Sequence, residues 1–215
     1  MRFNIFFFAV ISAFLFHDEA AAEIAVHDMP AVKGAVVKAV RYADASGDNL
    51  VVLSQTEPYI PESEYHKDDP DAMLRDQELF AHRFLLGEDG TVKQVWRISD
   101  FTRQCPGYTS IVADHETEYF AVTDLNDDGF AEVWAAYLLG CHGDISPETL
   151  KVIMYDGSDN KKYAVRGKTR VITDDRGTTA GGEGKLGPEF EGAPREFTEY
   201  AARMWHKASG GGTAR

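Results

Sequence analysis

Short runs of apolar residues alternating with polar ones dominate the chain from residue 34 onward, and turn-forming clusters separate them. The first pair of runs, 34–42 and 50–54, flanks the cluster DASGDN, and a second pair, 78–86 and 92–98, flanks GEDG. Alternation with a period of two, rich in β-branched and aromatic residues, is typical of strands that bury one face. The pattern therefore predicts two β-hairpins in the first half of the domain.

The second half repeats the alternation and ends in a helix. Further strands are predicted at 118–123, 133–139, 150–155 and 163–166. Pro194 stands where a first helical turn begins, and apolar residues follow it at helical spacing: Phe197, Tyr200, Ala201, Met204 and Trp205. About eight short strands in hairpin succession with one C-terminal helix predict a mainly β fold, an antiparallel meander. The glycine-rich stretch 174–188 is predicted to be a mobile loop.

Composition divides the chain into four parts. Residues 1–22 begin with a positive charge, carry an apolar run of about twelve residues and end in three alanines, which is typical of a secretory signal peptide. Residues 23–33 are a predicted linker, 34–206 a single β-rich domain, and 207–215 a disordered tail with three consecutive glycines. We therefore expect an exported protein, found in the periplasm, at the cell surface or in the medium.

The charge balance restricts the partners. The chain has 35 Asp and Glu against 22 Lys and Arg, a formal net charge of −13 at pH 7. Such a charge repels nucleic acids and anionic membrane surfaces, so neither is predicted as a partner. No apolar run after residue 22 is long enough to span a bilayer, so no membrane span is predicted in the mature chain.

Cys105 and Cys141 are the two cysteines of the chain. An even number of cysteines in an exported protein predicts one disulfide, with two free thiols as the alternative. The predicted bond encloses the acidic loop formed by residues 124–132.

That loop, 124–132 (DLNDDGFAE), carries the strongest chemical signal. Oxygen-bearing side chains recur at alternate positions, which matches positions 1, 3 and 5 of a calcium-binding loop, and Gly129 permits the turn that follows. A backbone carbonyl and an acid match positions 7 and 9. The predicted Ca²⁺ ligands are Asp124, Asn126, Asp128, Phe130 and Glu132.

Two features distinguish the loop from an EF-hand. Position 12 is Ala135, where that loop requires a bidentate Glu, and the flanking residues predict strands rather than helices. A strand–loop–strand calcium site is therefore predicted, similar to the calcium loops of integrin-type propeller repeats but present once. The alternative is an ordinary hairpin turn, since Asn, Asp and Gly tolerate the left-handed conformation.

Six segments together resemble a known family. They are 94–100 (QVWRISD), 122–129 (VTDLNDDG), 131–134 (AEVW), 141–147 (CHGDISP), 151–155 (KVIMY) and 163–167 (YAVRG). They resemble bacterial surface polysaccharide biosynthesis proteins, from about residue 34 to the C-terminal helix. The resemblance implies a bacterial cell envelope setting, with an envelope glycan or a polysaccharide-assembly protein as partner, and it implies no particular reaction.

Catalysis has weaker support. His142 and Asp144 in CHGD would suit a base and its orienting group, yet no nucleophile motif accompanies them, so no catalytic residue is predicted. Alternatively they secure a turn, or Asp144 adds an oxygen to the metal shell. Trp96 and Trp134 would stack on sugars if exposed. The sequence thus predicts a non-catalytic binding or assembly accessory, with a small secreted hydrolase of envelope glycans as the alternative.

Overall fold

The structure, a computed structural model, describes residues 29–62 and 73–214, so the predicted signal peptide lies outside the described residues. Within these ranges the chain forms thirteen β-strands and one α-helix. The fold is mainly β, as predicted, and its two large sheets pack face to face. Among the described residues no helix is both long and apolar enough to cross a membrane.

The first sheet is an antiparallel meander of four strands. β1 (Ala35–Asp44), β2 (Gly47–Gln55), β3 (Leu74–Leu86) and β4 (Val92–Pro106) lie side by side in chain order. Both predicted hairpins are therefore present. The β1–β2 turn is tight, because Asp44 pairs directly with Gly47, whose φ of 117° suits a residue without Cβ.

The second sheet has seven strands, and its order departs from a meander. Its strands are β5 (Ser110–His115), β6 (Ala121–Thr123), β7 (Glu132–His142), β8 (Thr149–Tyr155), β9 (Lys162–Lys168), β12 (Glu183–Leu186) and β13 (Thr213–Ala214). β7 lies beside both β5 and β6, and β12 pairs with β9. The β12–β13 pair is parallel, so the predicted all-antiparallel arrangement is wrong at this edge.

The predicted number of strands, about eight, is also wrong, because the sequence pattern predicts neither β5 nor most of the short strands after residue 168. β10 (Arg170–Ile172) pairs with β11 (Thr179–Gly181), and β12 follows, so much of the stretch 174–188 is ordered. Glycines hide these strands because they have no side chain to show alternation. Gly184 is required by packing, since a Cβ there would lie 2.4 Å from the Trp205 ring.

The C-terminal segment is ordered as well, which corrects the predicted disordered tail. The helix α1 (Arg195–Ala208) extends into the predicted tail, which begins at residue 207, and β13 follows it. The indole N–H of Trp205 donates to the Gly182 carbonyl at 2.9 Å, and the buried Ser209 hydroxyl accepts from the Gly212 N–H at 2.8 Å. The Trp205 bond holds α1 next to the start of β12, and the Ser209 bond closes the turn that leads into β13.

Two large apolar clusters fill the domain, and a smaller third one forms around Leu50, Val52 and Phe84 of the first sheet. Between the sheets, residues such as Leu53, Leu79 and Ile153 pack together, and Trp96 stacks on Tyr155 with ring centroids 4.4 Å apart. On the other face of the second sheet, α1 buries its predicted apolar stripe against the sheet, where Trp134 is fully buried. The second sheet is thus covered on both faces over its centre.

The predicted disulfide is confirmed. Cys105 at the end of β4 is bonded to Cys141 near the end of β7, so the bond joins the first sheet to the second. The two residues are 36 positions apart, and the segment between them contains the acidic loop. A disulfide is typical of proteins outside the reducing cytosol.

Replacing both cysteines with serine is expected to lower the free energy of unfolding by roughly 3–4 kcal/mol, because the unfolded chain regains the entropy of a long open loop. Urea unfolding of the wild type and the double variant measures the difference. Equal unfolding midpoints, or two alkylatable thiols in the unreduced native protein, would contradict the prediction.

Candidate metal centre

The acidic loop connects two strands, as predicted, and not two helices. It leaves β6 at Thr123 and enters β7 at Glu132, and these two residues form the last pair of the β6–β7 ladder. The loop between them is therefore closed at its base by the sheet.

The side chains of the loop fold back onto its own backbone. The two carboxylate oxygens of Asp124 accept the backbone N–H groups of Asp128 (3.1 Å) and Gly129 (3.0 Å). Asp128 in turn accepts the N–H of Phe130 (2.8 Å) and the side-chain amide of Asn126 (2.9 Å). Each carboxylate oxygen keeps a second lone pair, so these bonds leave capacity for a cation.

Glu132 lies at the base of the loop and is fully buried, with 0% of its surface exposed. Its Oε2 accepts from the Thr123 hydroxyl at 2.7 Å and from the Leu125 N–H at 3.0 Å. Burial raises the pKa of Glu132, and the neighbouring charges of Asp124 and Asp156 raise it further, against the effect of the two hydrogen bonds. Burial and the neighbouring charges therefore destabilise the ionised form of Glu132 by more than its two hydrogen bonds offset.

Two oxygens of the predicted ligand set are buried without a hydrogen-bond partner among the described residues. They are Oε1 of Glu132 and Oδ1 of Asn126. A buried acceptor left unpaired costs about 1–3 kcal/mol, and more when it is charged. Such atoms are rare in folded proteins, and an ion is one of the groups that satisfies them.

The loop is not a complete cage of acidic side chains. Within the described residues, no group of three or more His, Cys, Asp or Glu side chains is arranged to hold a metal. A cation here would need the amide oxygen of Asn126 and the carbonyl of Phe130 in addition to the carboxylates, which is the mixed oxygen set of calcium loops.

A buried arginine of the first sheet holds together two turns, one of which contacts the acidic loop. Arg83 on β3 is 2% exposed, and its guanidinium donates to Ser46 Oγ (2.8 Å), Asn49 Oδ1 (3.0 Å) and Asn160 Oδ1 (3.1 Å). It also lies 3.7 Å from the carboxylate of Asp44. The β1–β2 turn and the β8–β9 turn are thus held to one side chain.

The β1–β2 turn then contacts the acidic loop directly. Asp44 Oδ2 accepts the N–H of Ala131 at 3.1 Å, and the N–H of Ala45 donates to the carbonyl of Gly129 at 2.8 Å. Burial of Asp44 opposes ionisation, but its hydrogen bonds and Arg83 together lower its pKa. The second half of the loop therefore rests on a charged, buried support. Sequence analysis missed Arg83 and Asp44, since nothing local marks either of them.

The CHGD segment lies elsewhere, next to the disulfide. His142 uses both ring nitrogens within the protein: Nδ1 lies 2.9 Å from the Asp144 carbonyl, and Nε2 lies 2.8 Å from Glu148 Oε1. The Asp144 carboxylate is 3.6 Å from Nδ1, so the main acidic partner is Glu148, which sequence analysis missed. Gly140 makes room for Glu148, because a Cβ there would lie 1.6 Å from its Oε2.

The proposed sugar platforms are not available. Trp96 is 7% exposed and Trp134 0% exposed, and both belong to the apolar clusters. The condition for stacking on a sugar, an exposed indole, is therefore met by neither residue. Trp134 serves the loop instead, since its indole N–H donates to Thr123 Oγ1 at 3.0 Å.

Comparison with known proteins adds no relative. No family model, no curated protein and no solved structure matches the chain. The resemblance to surface polysaccharide biosynthesis proteins stays a prediction from the six quoted segments.

The pairing of His142 predicts a pH dependence of stability. Burial opposes protonation, but the bonds to the Asp144 carbonyl and to Glu148 outweigh it and raise the pKa of His142 above its ordinary value of 6.5. A raised folded-state pKa contributes stability in full below the unfolded value, and this contribution is lost as the pH rises through the folded value.

We expect the stability difference between the wild type and His142→Gln to be largest at about pH 5 and to shrink toward about pH 9. Urea unfolding across this range measures it, and Glu148→Gln should lower the pH at which the difference is lost. Parallel curves for the wild type and His142→Gln would contradict the prediction.

Proposed function

We propose that the protein is an exported, non-catalytic component of the bacterial envelope, that its 124–132 loop binds one Ca²⁺ ion, and that it acts as a binding or assembly accessory in surface polysaccharide biosynthesis. One observation supports the calcium site: Glu132 and Asn126 each keep a buried oxygen that has no hydrogen-bond partner among the residues that the structure describes, within a loop rich in carboxylates. Export is supported by the composition of residues 1–22 and by the disulfide.

The donor set favours calcium over other metals. All five predicted ligands, Asp124, Asn126, Asp128, Phe130 and Glu132, offer oxygen, and no His or Cys stands within the loop, which argues against Zn²⁺ and Cu²⁺. Mg²⁺ demands near-ideal octahedral geometry and keeps much of its water, whereas Ca²⁺ accepts irregular sets of about six to eight oxygens.

The affinity should be modest. The loop lacks the bidentate acid at position 12, and Asp124 and Asp128 already accept backbone N–H groups, so part of their charge is spent within the loop. We expect a Kd on the order of 10⁻⁴–10⁻³ M, as in other extracellular calcium modules.

The accessory role rests on the family resemblance and on the state of His142. Both of its ring nitrogens are bonded within the protein, to Asp144 and Glu148, which suits a structural pair better than a base directed at a substrate. The alternative function, a small hydrolase of envelope glycans, has one supporting observation: burial, with the nearby charges of Asp114 and Glu118, raises the pKa of Glu116, as a general acid requires.

A screen against purified envelope glycans separates the two functions. Saturable binding without release of shorter products supports the accessory role. Product release that is abolished by Glu116→Gln or by His142→Ala would establish the hydrolase instead.

Calcium is expected to raise the melting temperature of the wild type. A ligand that binds only the folded state adds about 2.7 kcal/mol at a hundredfold excess over Kd, which corresponds to roughly 5–10 °C for a domain of this size. Asp128→Asn should abolish most of this shift, because it removes a charge from the ligand set while keeping the shape of the side chain. Thermal unfolding in EDTA and in excess Ca²⁺ measures the effect.

Asp174→Asn is the matched control. Asp174 also closes an exposed turn by accepting two backbone N–H groups, those of Arg176 and Thr178, and it lies outside the loop. Its variant should keep the full calcium-dependent shift. Equal melting temperatures of the wild type in EDTA and in Ca²⁺ would reduce the 124–132 loop to a turn.

A further inference from the structure

A row of cationic side chains crosses three strands of the second sheet. Lys151 on β8 is paired with Arg166 on β9, and Arg166 is paired with Lys185 on β12. Residues that face each other across antiparallel strands project to the same side of a sheet, and like charges placed opposite each other are destabilising. We call Lys151, Arg166 and Lys185 the basic row.

The basic row lies on the face of the second sheet that turns toward the first sheet. Ile153, two residues after Lys151 and hence on the same face, belongs to the cluster between the sheets. The first sheet covers the inner end of the row, where Lys151 Nζ contacts Asp100 Oδ2 of β4 at 2.5 Å. Arg166 and Lys185 are exposed, so the outer end of the row is accessible to a ligand.

Most of this positive charge is not neutralised. Within the described residues, neither Arg166 nor Lys185 forms an ion pair, whereas Lys151 shares Asp100 with the hydroxyl of Tyr137, which donates to the same oxygen at 2.9 Å. Lys162, on the same face of β9 four residues before Arg166, also lacks an ion pair there.

The cations act on one another through space. Burial lowers the pKa of Lys162, and the charges of Arg166 and Lys151 lower it further, while Asp100 and Glu189 oppose the change. The chain has a net charge of −13, so a face that carries four cations is locally positive on an acidic protein. An arrangement of this kind raises the local concentration of anions.

We propose that the exposed end of the basic row, Arg166 and Lys185, binds an extended acidic polysaccharide, with carboxylates of neighbouring units lying across β9 and β12. Neighbouring strands are about 4.8 Å apart, so the two side chains can each hold a different carboxylate of one polymer. The guanidinium of Arg166 can hold one carboxylate in a bidentate pair, and Lys185 holds its neighbour as a point charge. This inference rests on the proposed polysaccharide role and specifies its ligand.

Two competing ligands fit the face less well. A nucleic acid carries a denser charge, one per about 1.7 Å of a duplex axis, and the acidic remainder of the protein would repel it. A neutral glycan offers no charge for the basic row to bind, and the three tryptophans that would be its strongest stacking platforms, Trp96, Trp134 and Trp205, are all buried.

Polygalacturonate, a linear polymer with one carboxylate per sugar, is the test probe, and neutral dextran and single-stranded DNA are the comparison ligands. Isothermal titration at low salt should show saturable binding of polygalacturonate by the wild type. The double variant Arg166→Ala/Lys185→Ala should bind at least about tenfold more weakly, since it loses two charge-assisted contacts. Both side chains are exposed, so the fold should be kept, and circular dichroism checks this.

The double variant Lys93→Ala/Arg97→Ala is the matched control, because it removes the same charge from exposed positions of β4. It should bind polygalacturonate like the wild type. Equal losses in the two double variants, or DNA binding as strong as polygalacturonate binding, would overturn the proposal. Binding of a neutral envelope glycan alone, unaffected by Arg166→Ala/Lys185→Ala, would overturn it while the polysaccharide role stands. Binding of no glycan at all would overturn both.

Discussion

The buried carboxylate of Glu132 is the constraint around which the acidic loop is built. It has no exposed surface, and one of its oxygens has no partner among the described residues. The other oxygen ties Thr123 to Leu125, and Thr123 receives the indole N–H of Trp134, so the carboxylate connects the loop to the apolar cluster under the helix. An ionised carboxylate in this position is stable only when an opposite charge accompanies it, and otherwise the group takes up a proton. The calcium ion that we propose for the loop would supply that charge.

The rest of the domain holds the loop in place. Arg83 joins the β1–β2 turn to the β8–β9 turn, and the carboxylate of Asp44 in the first of these turns accepts a hydrogen bond from the backbone N–H of Ala131. The disulfide links the two sheets at the opposite end of β7 from the loop. Removing Arg83 would leave Asp44 buried and unpaired, a change that typically costs about 3–5 kcal/mol. The acidic loop, the candidate calcium site, and the junction between the sheets therefore depend on the same buried charges.

The features that the sequence predicts correctly are local or chemically obvious. Alternation in 34–54 and 78–98 indicates the hairpins, the spacing from Phe197 to Trp205 indicates the helix face, and two cysteines suffice for the bond. The remaining features arise from pairing between distant segments. Arg83 meets Asn160 across 77 positions, and the basic row exists only through the register of β8, β9 and β12. The glycine-rich strands β11 and β12 pair through backbone alone, which leaves no side-chain pattern to recognise.

The most direct test of calcium binding by the 124–132 loop is a crystal structure from crystals grown in excess Ca²⁺, with anomalous diffraction to identify the ion. We expect an ion in the 124–132 loop, coordinated by about six to eight oxygens at roughly 2.3–2.6 Å. The Asn126 Oδ1 atom and a carboxylate oxygen of Glu132, the latter directly or through one water, should be among the groups that it satisfies. An ordered loop with no ion at saturating Ca²⁺, and with these two oxygens bonded only to protein or to water, would contradict it.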